Sequence, residues 1–230
     1  METQEIFTLL DGAVKMYRSA YNPTSDAVWL AAMPTIKPAT ILDVGVGSGG
    51  VSMCLHRHFP NAQITGIDIS DEMLEVCGRN AQLNRFQMEL FNQDITVWST
   101  PRTFDLVVTN PPYFKGTESK NKPKNAHHNV DLCTWIRRSI ARVRPSGQFC
   151  TIVDAGRMGD VLSVMSKSFG AITLIPLFGS KAIAERVLIS GRACSAGPSV
   201  IHVGFPMNHA PILRDGLTIR NILSKIQPQC

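Results

Sequence analysis

The stretch Thr40-Ile-Leu-Asp-Val-Gly-Val-Gly-Ser-Gly-Gly50 predicts the fold of this chain. An apolar run leads into a series of glycines, the pattern expected where a buried strand is followed by a helix. Glycine permits backbone conformations and close approaches that a side chain would block, and the start of a helix offers free N–H groups. The stretch therefore predicts a strand, a ligand-binding loop and a helix, in that order.

Strand-like and helix-like segments alternate along most of the chain. Further strands are predicted at 63–67, 88–91, 104–109 and 148–153. The helix that the glycine loop opens is predicted to end at about 58, and further helices are predicted at about 71–83, 131–143 and 157–168. Two strand-like runs, 172–178 and 186–190, then follow one another. Alternation predicts an α/β fold with a mostly parallel sheet and helices on both faces, and the final pair predicts an antiparallel C-terminal hairpin.

The length of 230 residues predicts a single domain. Residues 1–39 are predicted to form a helical, substrate-side extension with a helix at 26–33, and residues 40–190 the core that performs the chemistry. A glycine- and serine-rich segment at 191–199 is the only predicted linker, and the last thirty residues give no clear signal. No apolar run approaches the roughly 18 residues of a membrane span, so a soluble protein is expected.

Composition gives weaker indications of partners and location. The six cysteines are scattered without a C-x-x-C pair, which favours reduced thiols and no metal site. The acidic N-terminus shows no signal peptide, so a cytoplasmic location is expected. A net charge of +5 is compatible with a polyanionic partner.

The glycine stretch and two later acids predict a nucleoside site. Asp68, at the end of the second core strand, is placed to accept both ribose hydroxyl hydrogens. The glycine spacing alone also fits a dinucleotide or a purely structural turn. Asp43 decides between the ligands, because a carboxylate at the mouth of the loop repels a pyrophosphate but suits the ammonium group of S-adenosylmethionine. Asp94, just past the third strand, is positioned to accept from an adenine amino group; taken alone, it is a turn residue.

A second stretch, Asn110-Pro-Pro-Tyr-Phe114, follows the apolar run 104–109. The prolines fix φ and push the preceding residue into an extended conformation, so Asn110 is held at the strand end. The Asn110 side-chain oxygen and the Pro111 carbonyl can then accept both hydrogens of one exocyclic NH2, while Tyr113 offers a flat face for stacking. The stretch predicts a receptor for an amine on a planar group; the alternative is a rigid polar turn.

With these parts assembled, the chain resembles the class I S-adenosylmethionine-dependent methyltransferases, and more closely the bacterial tRNA(Val) adenine-N6 methyltransferases. The resemblance is carried by Ser25-Asp-Ala-Val28, Asp43 to Gly50, Gly66-Ile-Asp-Ile69, Arg79-Asn-Ala81, Asp94, Phe104 to Val108, Asn110 to Phe114 and Gly116-Thr117. It thins beyond Gly170, where Arg186 to Arg192 is the best remaining match. It implies a Rossmann-like sheet of seven strands and methyl transfer to an adenine exocyclic nitrogen. By resemblance, the cofactor-binding residues are Asp43, Gly45, Gly47, Gly49, Asp68, Ile69, Asp94, Ile95 and Asn110.

The same resemblance places the acceptor at the second stretch. The residues predicted to carry catalysis are Asn110, Pro111, Pro112 and Tyr113. Lysines after the motif would clamp phosphates, although a solvated lysine-rich loop is the common alternative. The predicted substrate-binding residues are Tyr113, Phe114, Lys115, Lys120, Lys122 and Lys124.

The leading hypothesis is methylation of adenine N6 in RNA, with tRNA near the anticodon as the expected partner and a monomer or weak dimer as the assembly. Methylation of a protein glutamine amide is the nearest rival, because an amide NH2 presents the same two hydrogens. A non-catalytic protein that binds S-adenosylmethionine and RNA is an alternative of another class. Methylation of adenine in DNA is disfavoured because the chain has little room for a separate target-recognition domain. Methylation of guanine N2 is disfavoured because position 113 is Tyr, where Phe would be more usual.

Overall fold

The structure is a computed structural model that describes residues 5–19, 22–112 and 131–207, with residues 213, 218, 219 and 221. Its strands are β1 Ile6–Leu9, β2 Val14–Tyr17, β3 Thr40–Val44, β4 Gln63–Asp68, β5 Glu89–Asn92, β6 Phe104–Thr109, β7 Val143–Asp154, β8 Phe169–Phe178, β9 Ala184–Ala193, β10 Val200–Ile201 and β11 Phe205–Pro206. Its helices are α1 Ser25–Ala31, α2 Gly50–His58, α3 Asp71–Leu83, α4 Leu132–Ile140 and α5 Met158–Met165, with a 3-10 turn at Ala155–Arg157.

The main sheet has the order β10-β8-β9-β7-β6-β3-β4-β5, with β11 also beside β8. All its pairings are parallel except those of β9, which runs antiparallel to both β7 and β8. Strands β3 to β9 are the seven predicted strands, and β8 with β9 is the predicted antiparallel hairpin. The two-residue strands β10 and β11 were not predicted and extend the edge beyond β8.

Helices cover both faces of this sheet, as alternation predicts. One face carries the larger apolar core and packs against α1, α2 and α3; the other packs against α4 and α5. The central strand β6 is buried along its whole length. Burial on both faces explains its mostly apolar sequence, since no side of the strand meets water.

Helix starts follow their capping residues. The Ser70 side chain accepts a hydrogen bond from Met73 N and caps the N-terminus of α3. The Asp131 side chain accepts from Thr134 N and caps α4 in the same way. Helix α2 instead begins after Gly49, which has φ of 89° and no side-chain cap. Its first N–H groups are therefore not bonded by a capping side chain.

The N-terminal extension differs from the prediction. The predicted helix is present as α1, but residues before it form a two-stranded antiparallel hairpin, β1 with β2. Its turn contains Leu10, Asp11 and Gly12, all with positive φ. The strands have only four residues each, and long-range hydrogen bonds from α3 hold β2 in place, which is why local sequence did not reveal them.

Two boundaries near the middle of the chain were also wrong. Helix α4 ends at Ile140 instead of about 143, because Arg142 N turns back to Ser139 O and Val143 starts β7. Strand β9 runs on to Ala193, so the predicted linker at 191–199 begins inside the sheet. Within the described part of the chain, no helix is long and apolar enough to cross a bilayer.

Candidate functional site

The glycine loop lies at the carboxyl ends of β3 and β4. Gly45, Gly47 and Gly49 have φ of 72°, 53° and 89°, a region that favours glycine. The N–H groups of Gly45 and Val46 both donate to the Ile67 carbonyl, at 2.9 and 3.0 Å. The loop is thus anchored to β4, and its glycines are required by backbone conformation.

Asp68 connects the loop to the start of α3. Its Oδ2 accepts from Gly47 N at 2.9 Å and its Oδ1 accepts from Ser70 N at 3.0 Å. Each carboxylate oxygen keeps a further lone pair, so the group can still accept from a ligand. The predicted acid therefore sits beside the loop, and it also shapes it.

Asp43 is buried at the end of β3. Its Oδ2 accepts a 2.7 Å hydrogen bond from the Ser52 hydroxyl. Burial raises the pKa of Asp43 to about 7; the hydrogen bond from Ser52 lowers it, and the charge of Asp68 raises it. An acid in this environment gains from a nearby cation, because a positive charge compensates for the lost hydration of the carboxylate.

The remaining predicted cofactor residues follow β4 and β5. Asp94 Oδ1 accepts from Thr96 N at 2.8 Å, which makes Asp94 a turn residue while leaving Oδ2 without a hydrogen bond among the described residues. Ile69 is 39% exposed, as a residue lining an open site must be. Ile95 is only 2% exposed and packs in the core. Its side chain is therefore not accessible for the predicted contact with a cofactor.

Strand register brings the predicted acceptor residues to the glycine loop. Thr109 lies opposite Val44 in the parallel pair β3–β6, so Asn110 and Gly45 are the first residues after two paired strand ends. Asn110 is exposed, and its side chain makes no hydrogen bond to any described residue. Pro111 and Pro112 are partly buried behind it. A fixed, uncommitted amide at this position is available to a ligand.

The rest of the predicted acceptor site is not described by the structure. Tyr113, Phe114, Lys115, Lys120, Lys122 and Lys124 all lie outside the described residues. Their roles remain predictions from sequence. No group of three or more histidine, cysteine or acidic side chains in the described segments could hold a metal ion.

Asn80 supports the glycine loop, a role that the resemblance at Arg79-Asn-Ala81 did not assign to it. Asn80 is fully buried; its Nδ2 donates to Ser48 O in the loop and its Oδ1 accepts from Tyr17 N in β2, both at 2.9 Å. It ties the hairpin to the glycine loop across α3. A polar residue on the apolar side of a helix is the signal that could have revealed it.

Trp135 packs in the core and also closes one side of the loop. Its Nε1 donates to Thr109 Oγ1 at 3.0 Å, and that hydroxyl donates to Val44 O at 2.8 Å. A Cβ at Gly45 would lie 3.1 Å from the indole ring. The indole therefore holds the ends of β3 and β6 together next to Asn110.

A family model described as "Methyltransferase small domain" matches residues 23–176, which include the whole site above. The chain belongs to this family. The family and the type of enzyme predicted from the sequence are therefore confirmed, together with the fold class.

Individual relatives agree with this assignment. A tRNA1(Val) (adenine(37)-N6)-methyltransferase of a Flavobacteriaceae bacterium (strain 3519-10) is 26% identical over 204 residues, covering 86% of this chain and 88% of that protein. A release factor glutamine methyltransferase of Flavobacterium psychrophilum is 36% identical over 92 residues, 40% of this chain and 32% of that protein.

The fold is also found in solved structures. A Thermus thermophilus 16S rRNA N2 G1207 methyltransferase, solved with AdoMet and guanosine, aligns with a TM-score of 0.58 and 19% identity. The alignment covers 82% of this chain and 50% of that one. At this identity the match supports the fold alone.

Proposed function

We propose that this protein transfers a methyl group from S-adenosylmethionine to the exocyclic N6 of an adenine in RNA, with tRNA near the anticodon as the substrate. The observation that carries the proposal is the position of Asn110 beside Gly45. This juxtaposition puts an acceptor for an NH2 group next to a loop suited to a nucleoside-containing methyl donor. The nearly full-length match to an adenine-N6 tRNA methyltransferase supports the choice of substrate.

The residues of the glycine loop fit S-adenosylmethionine. Asp43 and Asp68 place two carboxyl groups at the loop, which suits a ligand with an ammonium and a sulfonium charge and opposes a pyrophosphate. Asp68 can accept from ribose hydroxyls with its remaining lone pairs, and the free oxygen of Asp94 can accept from an adenine amine. When bound, the cofactor supplies an electrophilic methyl group on a positively charged sulfur.

The protein contributes to catalysis by orienting the acceptor nitrogen. The lone pair of adenine N6 is delocalised into the ring, which makes the amine a poor nucleophile. If Asn110 Oδ1 and the Pro111 carbonyl each accept one N–H, the lone pair is turned out of the ring plane and towards the loop. Positioning and fixed dipoles then provide the acceleration, and a strong general base is not required.

The two prolines give this arrangement its rigidity. Proline has a fixed φ, so Asn110 and the Pro111 carbonyl cannot move apart easily. The predicted stacking of the base on Tyr113 would be worth about 1 to 3 kcal/mol, which offsets the few kcal/mol needed to unstack a base from RNA. The lysines from 115 to 124 would hold the flanking phosphates in the proposed complex. A cytoplasmic monomer or weak dimer is part of the same proposal.

Methylation of a protein glutamine amide is the second candidate, because the same two acceptors suit an amide NH2. The relative that supports it matches over about a third of its own length, whereas the adenine-N6 relative matches over 88% of its length. The longer match favours RNA as the substrate.

The test is methylation with labelled S-adenosylmethionine, using total bacterial RNA or total bacterial protein as acceptor. We expect label in N6-methyladenosine and, for Asn110→Ala, a rate at least about 100-fold lower. Asn61→Ala, in an exposed loop before β4, is the matched control and should keep wild-type activity. Label in protein glutamine, or an Asn110→Ala variant as active as wild type, would overturn the proposal.

A further inference from the structure

Helix α1 packs on the face of the sheet that carries the larger apolar core. Its first turn and the residues just before it pack on the start of α2: a Cβ at Gly50 would lie 2.4 Å from Pro23 Cβ and 3.4 Å from Ala27 Cβ. In the same turn Asp26 meets Arg186 of β9. Because β6 and β7 lie between β3 and β9, the start of α1 passes over the ends of both strands.

Arg186 joins three elements at this point. Its Nε lies 3.4 Å from Asp26 Oδ2 and its Nη1 lies 3.1 Å from Asp154 Oδ1. Asp154 ends β7 and is the register partner of Arg186 in the antiparallel pair with β9. The Asp26 side chain is 7% exposed, that of Arg186 21% and that of Asp154 28%. This cluster is therefore partly withdrawn from water, where ion pairs depend strongly on geometry.

The three side chains lie on the same face of the sheet as Asn110. Side chains alternate along a strand, and Val108, Ile152 and Leu188 all belong to the core that α1 covers. Counting two residues from each of them puts Asn110, Asp154 and Arg186 on that same side. Asp154 and Arg186 thus lie on β7 and β9, the first and second strands beyond β6, and contact Asp26 in the first turn of α1.

We propose that Arg186 is a positioning residue for methyl transfer, which fixes α1, β7 and β9 as the wall of the acceptor site opposite the glycine loop. This inference rests on the proposed function, since it assigns the wall to the pocket that receives the target base. Arginine suits the task because its planar fork can bond two carboxylates at once, whereas lysine offers a single point charge. Two carboxyl groups on one guanidinium also leave no excess positive charge to bind an RNA phosphate at this wall.

Loss of Arg186 should affect the acceptor and not the binding of the methyl donor. Asp154 and Arg186 lie at least two strands away from β3, which carries the glycine loop, and the contacts of Pro23 and Ala27 with Gly50 do not involve Arg186, so losing Arg186 should leave the loop intact. A wall that moves relative to Asn110 should misalign the base, and misplacements of about 1 Å can cost roughly 100-fold in rate.

The experiment compares Arg186→Met, Arg186→Lys and the control Arg192→Met. Arg192 lies on the same strand at the opposite end, where its Nη2 donates to Ser146 O. The measured quantities are kcat and KM for the RNA and the Kd for S-adenosylmethionine. We expect Arg186→Met to lower kcat at least about 10-fold, with the cofactor Kd within twofold of wild type, and Arg186→Lys to recover part of the loss. Arg192→Met should match wild type in all three quantities.

Other outcomes separate the two proposals. Inactivity of the wild-type protein on RNA overturns the proposed function itself. Wild-type kcat and KM in Arg186→Met overturn the positioning role alone, as does a loss of cofactor binding equal to the loss of activity. If Arg186→Met does not fold, Asp154→Asn replaces it, because Asp154 is more exposed and the Asp26–Arg186 pair remains. That variant should lower kcat about threefold or more with unchanged cofactor Kd, and a wild-type kcat would overturn the role.

Discussion

Ser52 donates a 2.7 Å hydrogen bond to Asp43 inside the protein, where neither side chain reaches water. The hydroxyl favours the ionised carboxylate, but burial acts more strongly and the pKa of Asp43 stands at about 7. A group that titrates near neutral pH at the mouth of the glycine loop makes both cofactor binding and stability depend on pH.

Cofactor affinity should fall as the pH is lowered through 7. The ammonium group of S-adenosylmethionine favours the ionised form of Asp43, and this form becomes scarce below the pKa of about 7. The Kd measured by calorimetry should rise by up to about tenfold for each pH unit between 7 and 5.5, a range in which an α-amino group stays protonated. Asp43→Asn should bind weakly and without this pH dependence. A wild-type Kd equal at pH 5.5 and 7.5 would contradict the assignment.

Stability without cofactor should have the opposite pH dependence. The pKa of Asp43 is higher in the folded protein than its ordinary 3.8, so the folded state holds the proton more tightly. The contribution of Asp43 to the free energy of unfolding therefore declines as the pH rises from about 4 to about 7 and is level above that. Asp43→Asn has no buried carboxylate to ionise, so its free energy of unfolding should not decline in this way. At pH 7.5, urea unfolding should give the variant a free energy of unfolding about 2 to 4 kcal/mol above that of wild type. Equal or lower stability of the variant would refute the linkage.

Asn80→Ala should weaken both the fold and cofactor binding. The substitution leaves Ser48 O and Tyr17 N without their buried partner, at about 1 to 3 kcal/mol for each unsatisfied group. Asn84→Ala is the matched control one helical turn later, since Asn84 bonds Lys15 of the same hairpin at exposed positions that water can satisfy. Thermal unfolding and the cofactor Kd should change strongly in the first variant and little in the second. Similar Kd values in both would show that Asn80 does not support the loop.

Gly50→Ala should destabilise the protein through a steric clash. The added Cβ would lie 2.4 Å from Pro23 Cβ, so α1 or α2 must shift, at about 1 to 3 kcal/mol. Gly159→Ala, in α5, is the control: its added Cβ meets no atom within 4 Å, and alanine there should stabilise by about 0.5 to 1 kcal/mol. Chemical denaturation measures both changes. A Gly50→Ala protein as stable as wild type would mean that Pro23 moves without cost.

Local pattern was enough for most of the core. The predicted strand 40–44 and the helix 71–83 agree with β3 and α3 at both ends. Ser70 marks the start of α3 by capping it, and the glycines mark the end of β3, so each boundary has a local chemical cause. Asn110 was also found at the end of a buried strand that pairs with the strand leading into the glycine loop, as alternation of strands and helices requires.

Contacts between distant positions had no such local signal. The hairpin β1–β2 is bonded to Asn80 and Asn84, more than sixty positions away, and four-residue strands show too little pattern to be recognised alone. The end of α4 was misplaced because Val143 is drawn into β7 by pairing with Phe104. Tertiary pairing overrode local preference in both cases.

The sequence by itself determined the class of fold, the glycine loop with its two acids, and the amide that follows the fourth core strand. These features depend on short-range pattern and backbone chemistry, which neighbouring residues specify. Only the tertiary structure decided that burial raises the pKa of Asp43 to near neutrality, that Asn80 ties the hairpin to the loop, and that Asp26, Asp154 and Arg186 meet. Burial and charge pairing arise when distant segments exclude water together, and no single segment carries that information.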